Sequence, residues 1–401
     1  MGEGGGIGDR VQRLRTGRSP KLTQRELAEK AGVSVELVSK LEQGVRQSAR
    51  LASLTKIARA LDVDVADLVS RPVRVDTTGG EDGGVLAVRR AIITLSDDAE
   101  PANEDELRKS ASLAWGYYWS SQFDVLAGML PEFIGAARAT VRQTGTPAAY
   151  EALSDAYRIA ATMLAQPLGK VDLAYLAMER AVGAAEQTGD VLRRAAVCGW
   201  MSWQFTQHAG STAEAVRMAV READDVEPKM KGAAPEQVSV WGTLLGFAAI
   251  AAARDDNASE ADDLINLAEV AATRLDGMGW TRTLYGQAPF GLPRVIVQMT
   301  DIATVTGRPG RALTVARKMP PEPDLPLDNR AHHLADIALA LTELGKLREA
   351  ESALHTLWRT APNWMRYQPY PRRVMAELWE RDKRRSRTLL ELAEWMHMPL
   401  G

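Results

Sequence analysis

The sequence predicts an all-α protein with two main parts, an N-terminal bundle of five helices and a long α-solenoid of helical hairpins. Three observations support this fold class. From residue 85 onward Ala and Leu recur at helical spacing, with almost none of the alternating pattern of β-strands. Residues 1–74 contain side chains that cap helix N-termini and glycines that end helices. A glycine followed five residues later by an alanine recurs through the rest of the chain, as stacked helical hairpins require.

Composition limits the classes of protein that the chain can belong to. Of its 401 residues, 45% are hydrophobic and 25% are charged, as in ordinary globular proteins. We find no apolar run near the roughly 18 residues of a membrane span and no signal-peptide pattern, so we expect a cytoplasmic protein without a membrane partner. The single cysteine, Cys198, excludes an internal disulfide, and with five histidines it argues against a clustered metal site.

Charge is divided unevenly along the chain. Residues 1–74 carry 14 basic and 9 acidic side chains, whereas the remaining 327 residues carry 35 and 43. A local positive field favours binding to phosphates, and an acidic remainder discourages the rest of the chain from lying on a nucleic acid. The N-terminal part is therefore the candidate for nucleic-acid binding.

The stretch from Leu22 to Gly44 reads LTQRELAEKAGVSVELVSKLEQG and predicts two short helices joined by a tight corner. Thr23 and Glu26 have the spacing of a capping box, so the first helix begins near Gln24. Gly32 ends that helix, since glycine takes the left-handed conformation at low cost, and Ser34 caps the next one. The sides of the two helices that are predicted to be buried contain Leu27, Ala28, Ala31, Leu37, Val38 and Leu41.

This pattern, T-Q-x-E-L-A-x-x-A-G-V-S-x-x-x-V-S-x-L-E-x-G, resembles the Xre-type DNA-binding domains of the lambda and 434 phage repressors and of their large bacterial family. The resemblance covers residues 1–74 and implies a double-stranded DNA operator as partner. In that family the second helix lies in the major groove. The side chains that the resemblance assigns to DNA binding are Gln24, Arg25, Ser34, Val35, Glu36, Ser39, Lys40, Arg46 and Arg50.

Some of these side chains suit particular partners on DNA. Lys40 suits guanine O6 and N7, Glu36 suits the amino group of cytosine, and Val35 suits the methyl group of thymine. Gln24 is expected at a phosphate or at the first base. Three basic side chains after the second helix, Arg46, Arg50 and Lys56, are expected beside the sugar-phosphate backbone, where they add affinity but no sequence preference. The alternative is a helix-turn-helix that makes protein contacts only.

Three further helices complete the N-terminal domain. The first runs from about Ile7 to Gly17, with Ile7, Val11 and Leu14 on its inner side and Arg10, Arg13 and Arg15 outside. Two more, in RLASLTKIARAL and DVADLVS, close a core that contains Leu51, Leu54, Ile57, Ala58, Leu61, Val65 and Leu68. Residues 75–84, VDTTGGEDGG, have little to bury and are predicted to be a flexible linker.

Residues 85–370 are predicted to be helical hairpins. The clearest unit, residues 334–362, resembles a tetratricopeptide repeat, with Gly345 in the turn, Ala350 on the second helix and Pro362 at its end. The same step recurs at Gly169/Ala174, Gly210/Ala215 and Gly307/Ala312, and in degenerate form at Asp256/Ala261 and Ser121/Leu126. Residues 371–401 are predicted to be capping helices; their basic cluster, Arg381, Lys383, Arg384, Arg385 and Arg387, either is solvated or contacts DNA or an acidic partner.

In such repeats the first helix of each pair lines the concave face, and this register implies a set of effector-binding side chains. They are Trp119, Met163, Trp200, Gln204, Gln207, Arg294, Asp301 and His332, with Trp115, Tyr118 and Thr304 also facing inward. Aromatic walls with a few polar groups are typical of a binding cleft. The alternative for each aromatic side chain is a place in the packing between hairpins.

Motifs of catalysis and of cofactor binding are missing from the sequence. It contains no Walker A, HExxH, GxSxG or CxxC pattern, so we predict neither an enzyme nor a bound cofactor. His332, His333 and Asp336 lie within one helical turn, but adjacent histidines point about 100° apart and no third ligand is evident, so no metal is expected. Cys198 lies in the apolar run AAVCGWM and is predicted to be an inert core residue.

The two resemblances together predict a sequence-specific transcriptional regulator, dimeric because one module makes few base contacts. The architecture resembles the peptide-pheromone-sensing regulators of Gram-positive bacteria, and the composition resembles regulators of high-GC actinobacteria. This implies an effector in the concave face that modulates operator binding, and a peptide, a small molecule and a protein all remain open as that effector. The alternative is a DNA-tethered scaffold for protein interactions, without a small effector.

Overall fold

Helices account for the regular structure of the protein. The computed structural model describes residues 7–18, 21–45, 49, 51–63, 68, 83–94, 99–165, 170–206, 210–229, 231–280, 282–383, 386–396 and 398. These residues form twenty α-helices and contain no β-strand, so the predicted all-α class is confirmed.

Four helices form the described part of the N-terminal domain: α1 (Ile7–Thr16), α2 (Gln24–Ala31), α3 (Val35–Glu42) and α4 (Leu51–Ala60). Their core contains most of the predicted apolar residues, among them Val11, Leu27, Val38, Leu41, Leu54, Ile57, Leu61 and Leu68. The fifth predicted helix lies, apart from Leu68, outside the described residues, as do residues 75–82 of the predicted linker. The next helix, α5 (Gly83–Ile93), includes the last two residues of the predicted linker.

The remaining helices follow one another as antiparallel neighbours. They are α6 (Glu104–Trp119), α7 (Phe123–Thr144), α8 (Pro147–Ala165), α9 (Val171–Glu186), α10 (Val191–Phe205), α11 (Thr212–Asp225), α12 (Pro235–Arg254), α13 (Ala258–Asp276), α14 (Leu292–Val305), α15 (Pro309–Ala316), α16 (Leu327–Glu343) and α17 (Leu347–Thr360). The C-terminal helices are α18 (Pro362–Tyr367), α19 (Pro369–Arg381) and α20 (Arg387–Trp395).

Left-handed turns join the helices of the hairpins at the positions that the recurring step marks. Gly210, Gly307 and Gly345 have φ angles of 79°, 71° and 76°, and even the degenerate positions Ser121 and Asp256 have φ angles of 57° and 63°. This conformation is uncommon for residues with a side chain. The residue five positions later is buried in every pair: Leu126, Ala174, Ala215, Ala261, Ala312 and Ala350. Gly169 lies outside the described residues.

The hairpins stack in chain order and form two layers. Helices α6, α8, α10, α12, α14 and α16 contact one another in succession, and each also packs on the second helix of its own hairpin. The first helices therefore make an inner layer. The C-terminal helices α19 and α20 extend the stack, since Val374, Leu378 and Leu389 share a hydrophobic core with Leu339 and Leu354. Arg381 belongs to this packing, because its guanidinium binds Glu377 and the carbonyl oxygen of Thr342; Arg384 and Arg385 lie outside the described residues.

Helix α12 is the central helix of the inner layer. It is long and apolar enough to cross a membrane, with a mean hydropathy of 1.2 over 18 residues, but 89% of that window is buried inside the protein. The expectation that no apolar run approaches this length is therefore wrong, since Gly, Ser and Thr within α12 make the run inconspicuous. The burial shows that the chain uses α12 as a core helix.

Candidate functional site

The corner between α2 and α3 has the predicted geometry. The Thr23 hydroxyl accepts a hydrogen bond from the Glu26 amide at 3.2 Å, and the Glu26 carboxylate accepts one from the Thr23 amide at 2.7 Å, which completes a capping box. Gly32 is left-handed, with a φ of 60°, and the Ser34 hydroxyl accepts from the Leu37 amide at 3.2 Å. These caps fix where each helix begins, so α3 crosses α2 at a defined angle.

The outer side of α3 exposes the side chains that the resemblance assigns to base contacts. Val35 is 44% exposed, and Glu36 and Lys40 are also exposed, whereas Ser39 is half-buried. The Lys40 ammonium lies 2.6 Å from the Glu36 carboxylate, one turn away on the same helix. The hydrogen bond from Lys40 lowers the pKa of Glu36. Both charges therefore lie on one accessible surface, and they pair with each other in the absence of a partner.

A buried ion pair that we did not predict holds α3 in place. The Arg15 guanidinium binds both carboxylate oxygens of Glu42, at 2.7 and 2.6 Å, and their side chains are 11% and 1% exposed. Arg15 was expected on the outside of α1, and this expectation is wrong because Glu42 at the end of α3 supplies a buried partner. The amide of Gln24 also donates to Glu42, at 2.8 Å, so Gln24 is tied to α3 before any contact with DNA.

The other predicted DNA contacts have three different outcomes. Arg25 is exposed on α2 and pairs with Glu29 at 3.1 Å, and Ser34 is exposed while it caps α3. Arg46 and Arg50 lie outside the described residues. Lys56, expected beside the sugar-phosphate backbone, instead lies 3.7 Å from Asp256 of the second domain.

The inner layer of the second domain encloses a cavity of about 90 Å³. Helices α6, α10, α12, α14 and α16 contribute most of its lining. One wall is aromatic and consists of Tyr118, Trp119, Phe123, Trp200, Trp203, Phe247 and Trp364. The rings of Trp119 and Trp200 lie 6.0 Å apart, and those of Tyr118 and Trp119 lie 4.9 Å apart. Aromatic surface that is packed this closely forms a rigid apolar wall.

Charged side chains form another part of the cavity lining. Arg254 at the end of α12 lies 3.3 Å from Asp301 of α14, and His332 of α16 lies 3.7 Å from both Asp301 and Asp336. Burial opposes ionisation of all these groups. It raises the pKa of Asp336 to about 7, whereas the carboxylates of Asp336 and Asp301 overcome the effect of burial on His332 and raise its pKa. This cluster of acidic groups therefore favours the protonated form of His332.

Arg294 and Asp328 face the same cavity but do not pair. Neither forms an ion pair with any described residue, although each is electrostatically attracted to the other. Burial lowers the pKa of Arg294 and raises that of Asp328 to about 6. Among the described residues, Asp328 Oδ1 and Asn329 Oδ1 have no hydrogen-bond donor, and the buried amide of Gln298 also lacks a partner. The cavity thus contains hydrogen-bonding capacity that the described protein atoms leave unused.

Five of the eight predicted effector-binding residues line this cavity: Trp119, Trp200, Arg294, Asp301 and His332. The expected position of Met163 on the inner surface is wrong, because its side chain is fully buried in the hydrophobic core between hairpins. Gln204 is also buried and does not line the cavity, and Gln207 lies outside the described residues. Trp115 and Thr304 are buried behind the lining. Whether any of the five binds an effector stays a prediction.

The sequence reasoning missed much of the polar wall. Arg254, Asp328 and Asn329 were not singled out, although Arg254 directly precedes the turn at Asp256 and Asp328 lies one helical turn before His332. Helical spacing from His332 was thus a signal that pointed to Asp328. The pairing of Arg254 with Asp301 joins residues 47 positions apart, and local patterns carry no information about it.

Three potential metal ligands come together beside the cavity. Atoms of Asp301, His332 and Asp336 lie within 4.8 Å of one another, and Asp301 is the third donor that the sequence did not reveal. Both carboxylates already have partners in the protein: Asp301 pairs with Arg254, and Asp336 accepts a hydrogen bond from Tyr370 at 2.5 Å. These contacts account for the cluster as a buried polar network, and the absence of a bound metal stays a prediction.

The two domains meet at the turn between α12 and α13. Arg59 of α4 lies 3.1 Å from the Asp255 carboxylate, and it also donates to the carbonyl oxygen of Asp255 at 3.1 Å. The carboxylate of the neighbouring Asp256 lies 3.7 Å from the ammonium group of Lys56. On the other side, the Thr212 hydroxyl donates to Asp255 at 2.6 Å. Asp255 directly follows Arg254 of the cavity wall, so one peptide bond separates the cavity from the interdomain contact.

Taken together, the capped corner, the exposed second helix and the basic first domain define a DNA-binding transcription regulator of the helix-turn-helix class. Residues 12–68 match a family model described as helix-turn-helix. No curated protein is detectably similar to the chain. The match covers the N-terminal domain and leaves the function of the second domain to be inferred from its geometry.

Proposed function

We propose that the protein is a transcriptional regulator whose second domain binds a small effector in the cavity and thereby changes operator binding. The observation that carries the proposal is the direct chain connection between Arg254, which lines the cavity, and Asp255, which binds Arg59 of the DNA-binding domain. A ligand in this cavity changes the surroundings of Arg254, and a shift of Arg254 moves the turn that contacts α4. Effector binding and DNA binding then become linked, as allosteric coupling requires.

For operator recognition we propose the major-groove mode of the helix-turn-helix class. The exposed Val35, Glu36 and Lys40 support base contacts from α3, and Ser39 at the edge of that surface supports a fourth. The ion pair between Glu36 and Lys40 is solvent-exposed, so separating the two charges costs little free energy. Favourable contacts with DNA bases offset that free-energy cost.

We further propose that the regulator acts as a dimer. A single module reads few base pairs, and two modules on half-sites about 34 Å apart multiply their discrimination over the genome. Sedimentation analysis at several concentrations tests this part of the proposal. A species that stays monomeric both alone and on operator DNA would contradict it.

The proposal as a whole is tested by finding the operator and then perturbing the cavity. Genome-wide binding in the native cell identifies sites, which are assayed in vitro by gel shift with and without the low-molecular-mass fraction of a cell extract. We expect a palindromic site whose binding changes with that fraction. Operator binding that is unchanged by the whole extract contradicts the proposal. Operator binding that changes only with the protein fraction of the extract favours an interaction scaffold instead.

In this assay, the variant Arg254→Gln distinguishes the response to effector from operator binding itself. Because the Arg254 side chain binds Asp301 and Thr206, both of the second domain, operator binding without effector should persist while the response to the fraction is lost. Arg217→Gln, at an exposed side chain of α11, serves as the control and should respond like the natural protein.

A further inference from the structure

The cavity is lined by two opposite charges that do not form an ion pair with each other. Arg294 on α14 is a donor without a carboxylate partner among the described residues, and Asp328 on α16 lies on the same lining. Bringing them into direct contact would satisfy both, yet the helices hold them apart. Separating opposite charges at partly buried positions costs free energy, which a ligand that carries both complementary charges recovers.

The polar groups of the cavity that lack partners differ in whether they donate or accept hydrogen bonds. Near Asp328 two acceptors, Asp328 Oδ1 and Asn329 Oδ1, lack donors among the described residues, and Asn329 is only 7% exposed. An ammonium group offers three donors and no acceptor, which suits such a pair. The Arg294 guanidinium offers only donors, which suit a carboxylate in a bidentate contact. The amide of Gln298, also unsatisfied, has both kinds of atom.

Size and apolar surface restrict the ligand further. A cavity of about 90 Å³ is smaller than the cavity of about 150 Å³ that holds benzene in another protein. Phe247, Ile250 and Val297 supply apolar surface next to the charged groups. A ligand that carries both charges, has few atoms and bears a short apolar side chain matches the two opposite charges, the small volume and the apolar surface of the cavity.

We propose that the cavity binds a small apolar α-amino acid, with the carboxylate on Arg294, the ammonium group on Asp328 and Asn329, and the side chain against the aromatic wall. This inference rests on the proposed function, since it names the chemical class of the effector. It excludes an amine and a simple carboxylic acid, because each leaves one of the two charges without a partner. It also excludes a peptide held entirely within this cavity.

The test uses three probes of nearly equal shape on the full chain: L-alanine, propionate, which lacks the ammonium group, and L-alaninamide, which lacks the carboxylate. Isothermal titration calorimetry should show L-alanine binding at least about tenfold more tightly than either analogue, since each charge-assisted contact is worth about 1.5 to 3 kcal/mol. Equal or tighter binding of propionate indicates an anion site, equal or tighter binding of L-alaninamide indicates a cation site, and either result overturns the proposal. No detectable binding of L-alanine at about 10 mM, a concentration that corresponds to a very weak site, also overturns it.

Variants test which side chain binds the carboxylate of the ligand and which binds its ammonium group. Arg294→Gln should remove the preference for L-alanine over L-alaninamide, and Asp328→Asn should remove the preference over propionate. Arg330→Gln, at an exposed position on the same helix as Asp328, should leave both preferences unchanged. Circular dichroism and operator binding verify that each variant is folded, and the comparison of probes on the natural protein needs no variant.

The failure of this inference is distinguishable from the failure of the proposed function. If the low-molecular-mass fraction changes operator binding but L-alanine does not bind, the regulator stands and the ligand class is wrong. If L-alanine binds with the expected preferences but no fraction alters operator binding, the site stands and the regulatory role is wrong.

Discussion

Single residues decide how firmly the recognition helix is held. Glu42 binds Arg15 and Gln24 while almost fully buried, and removing one partner of a buried ion pair leaves an uncompensated charge. We therefore expect Glu42→Ala to destabilise the N-terminal domain by about 3 to 5 kcal/mol. Hydrogen exchange of amides in α1 and α3 measures the change. Glu29→Ala, which breaks only the exposed pair with Arg25, should cost less than about 1 kcal/mol; equal losses would refute the argument.

Lys40 is expected to read one position of the operator. Lys40→Ala should weaken binding by about 1 to 3 kcal/mol and relax the preference at a single base pair. Binding to a set of operators with one substitution each measures this. Lys30, exposed on α2, provides the control, since its removal should affect all operators alike. A uniform loss for both variants would mean that Lys40 contacts the backbone of DNA.

Asp328 makes the stability of the second domain depend on pH. Burial raises its pKa from the ordinary 3.8 to about 6, although Arg294 and His332 oppose the shift. Because the folded state holds this proton more tightly than the unfolded state, the contribution of Asp328 to the free energy of unfolding falls as pH rises from about 4 to about 6. Asp328→Asn should remove that fall. Urea unfolding at both pH values measures it, and a variant with an unchanged slope would contradict the assignment; Asp263→Asn, at an exposed position, is the control.

At the scale of the helices, close packing of α12 depends on glycine. A Cβ atom on Gly242 would lie 2.3 Å from Phe290 Cζ and 3.0 Å from Ala271 Cβ, whereas nothing lies within 4 Å of one on Gly183 in α9. Gly242→Ala should therefore destabilise the protein by about 1 to 3 kcal/mol through overpacking. Gly183→Ala should stabilise it by up to about 1 kcal/mol, since alanine favours a helix more than glycine does. Thermal unfolding compares the two, and shifts of the same sign would be inconsistent with this packing.

Local signals in the sequence account for most of the helices and their turns. Caps such as Thr23 and turn residues such as Gly345 and Asp256 act through neighbouring backbone groups, so their effect can be read from the sequence. The inner face was harder to predict. A helix in a stack is buried on several sides, so the spacing of its apolar residues does not identify the side that faces a cavity. Met163 was misassigned for that reason, and Arg15 because its partner comes 27 residues later.

On the scale of the whole molecule, the proposed route from the cavity to the DNA-binding domain runs through ion pairs between the two domains. Arg59 and Lys56 form three ion pairs with Asp255 and Asp256 at partly exposed positions, each worth about 1 kcal/mol or less, whereas allosteric coupling is typically about 1 to 3 kcal/mol. Asp255→Asn should weaken the effector response and leave the protein able to bind its operator. Gel shifts with and without effector measure both quantities. A full response in the variant would exclude this contact as the connection.

The apolar helix α12 has a consequence for how the chain is made. Its packing partners α13 and α14 are synthesised after it, so a growing chain presents a long apolar helix that only α10 and α11 cover in part. Such surface promotes aggregation of incomplete chains and attracts chaperones. A product that stops after Arg254 keeps the DNA-binding domain but leaves this helix uncovered. Premature termination in this region is therefore expected to yield an insoluble protein and not a regulator that is insensitive to its effector.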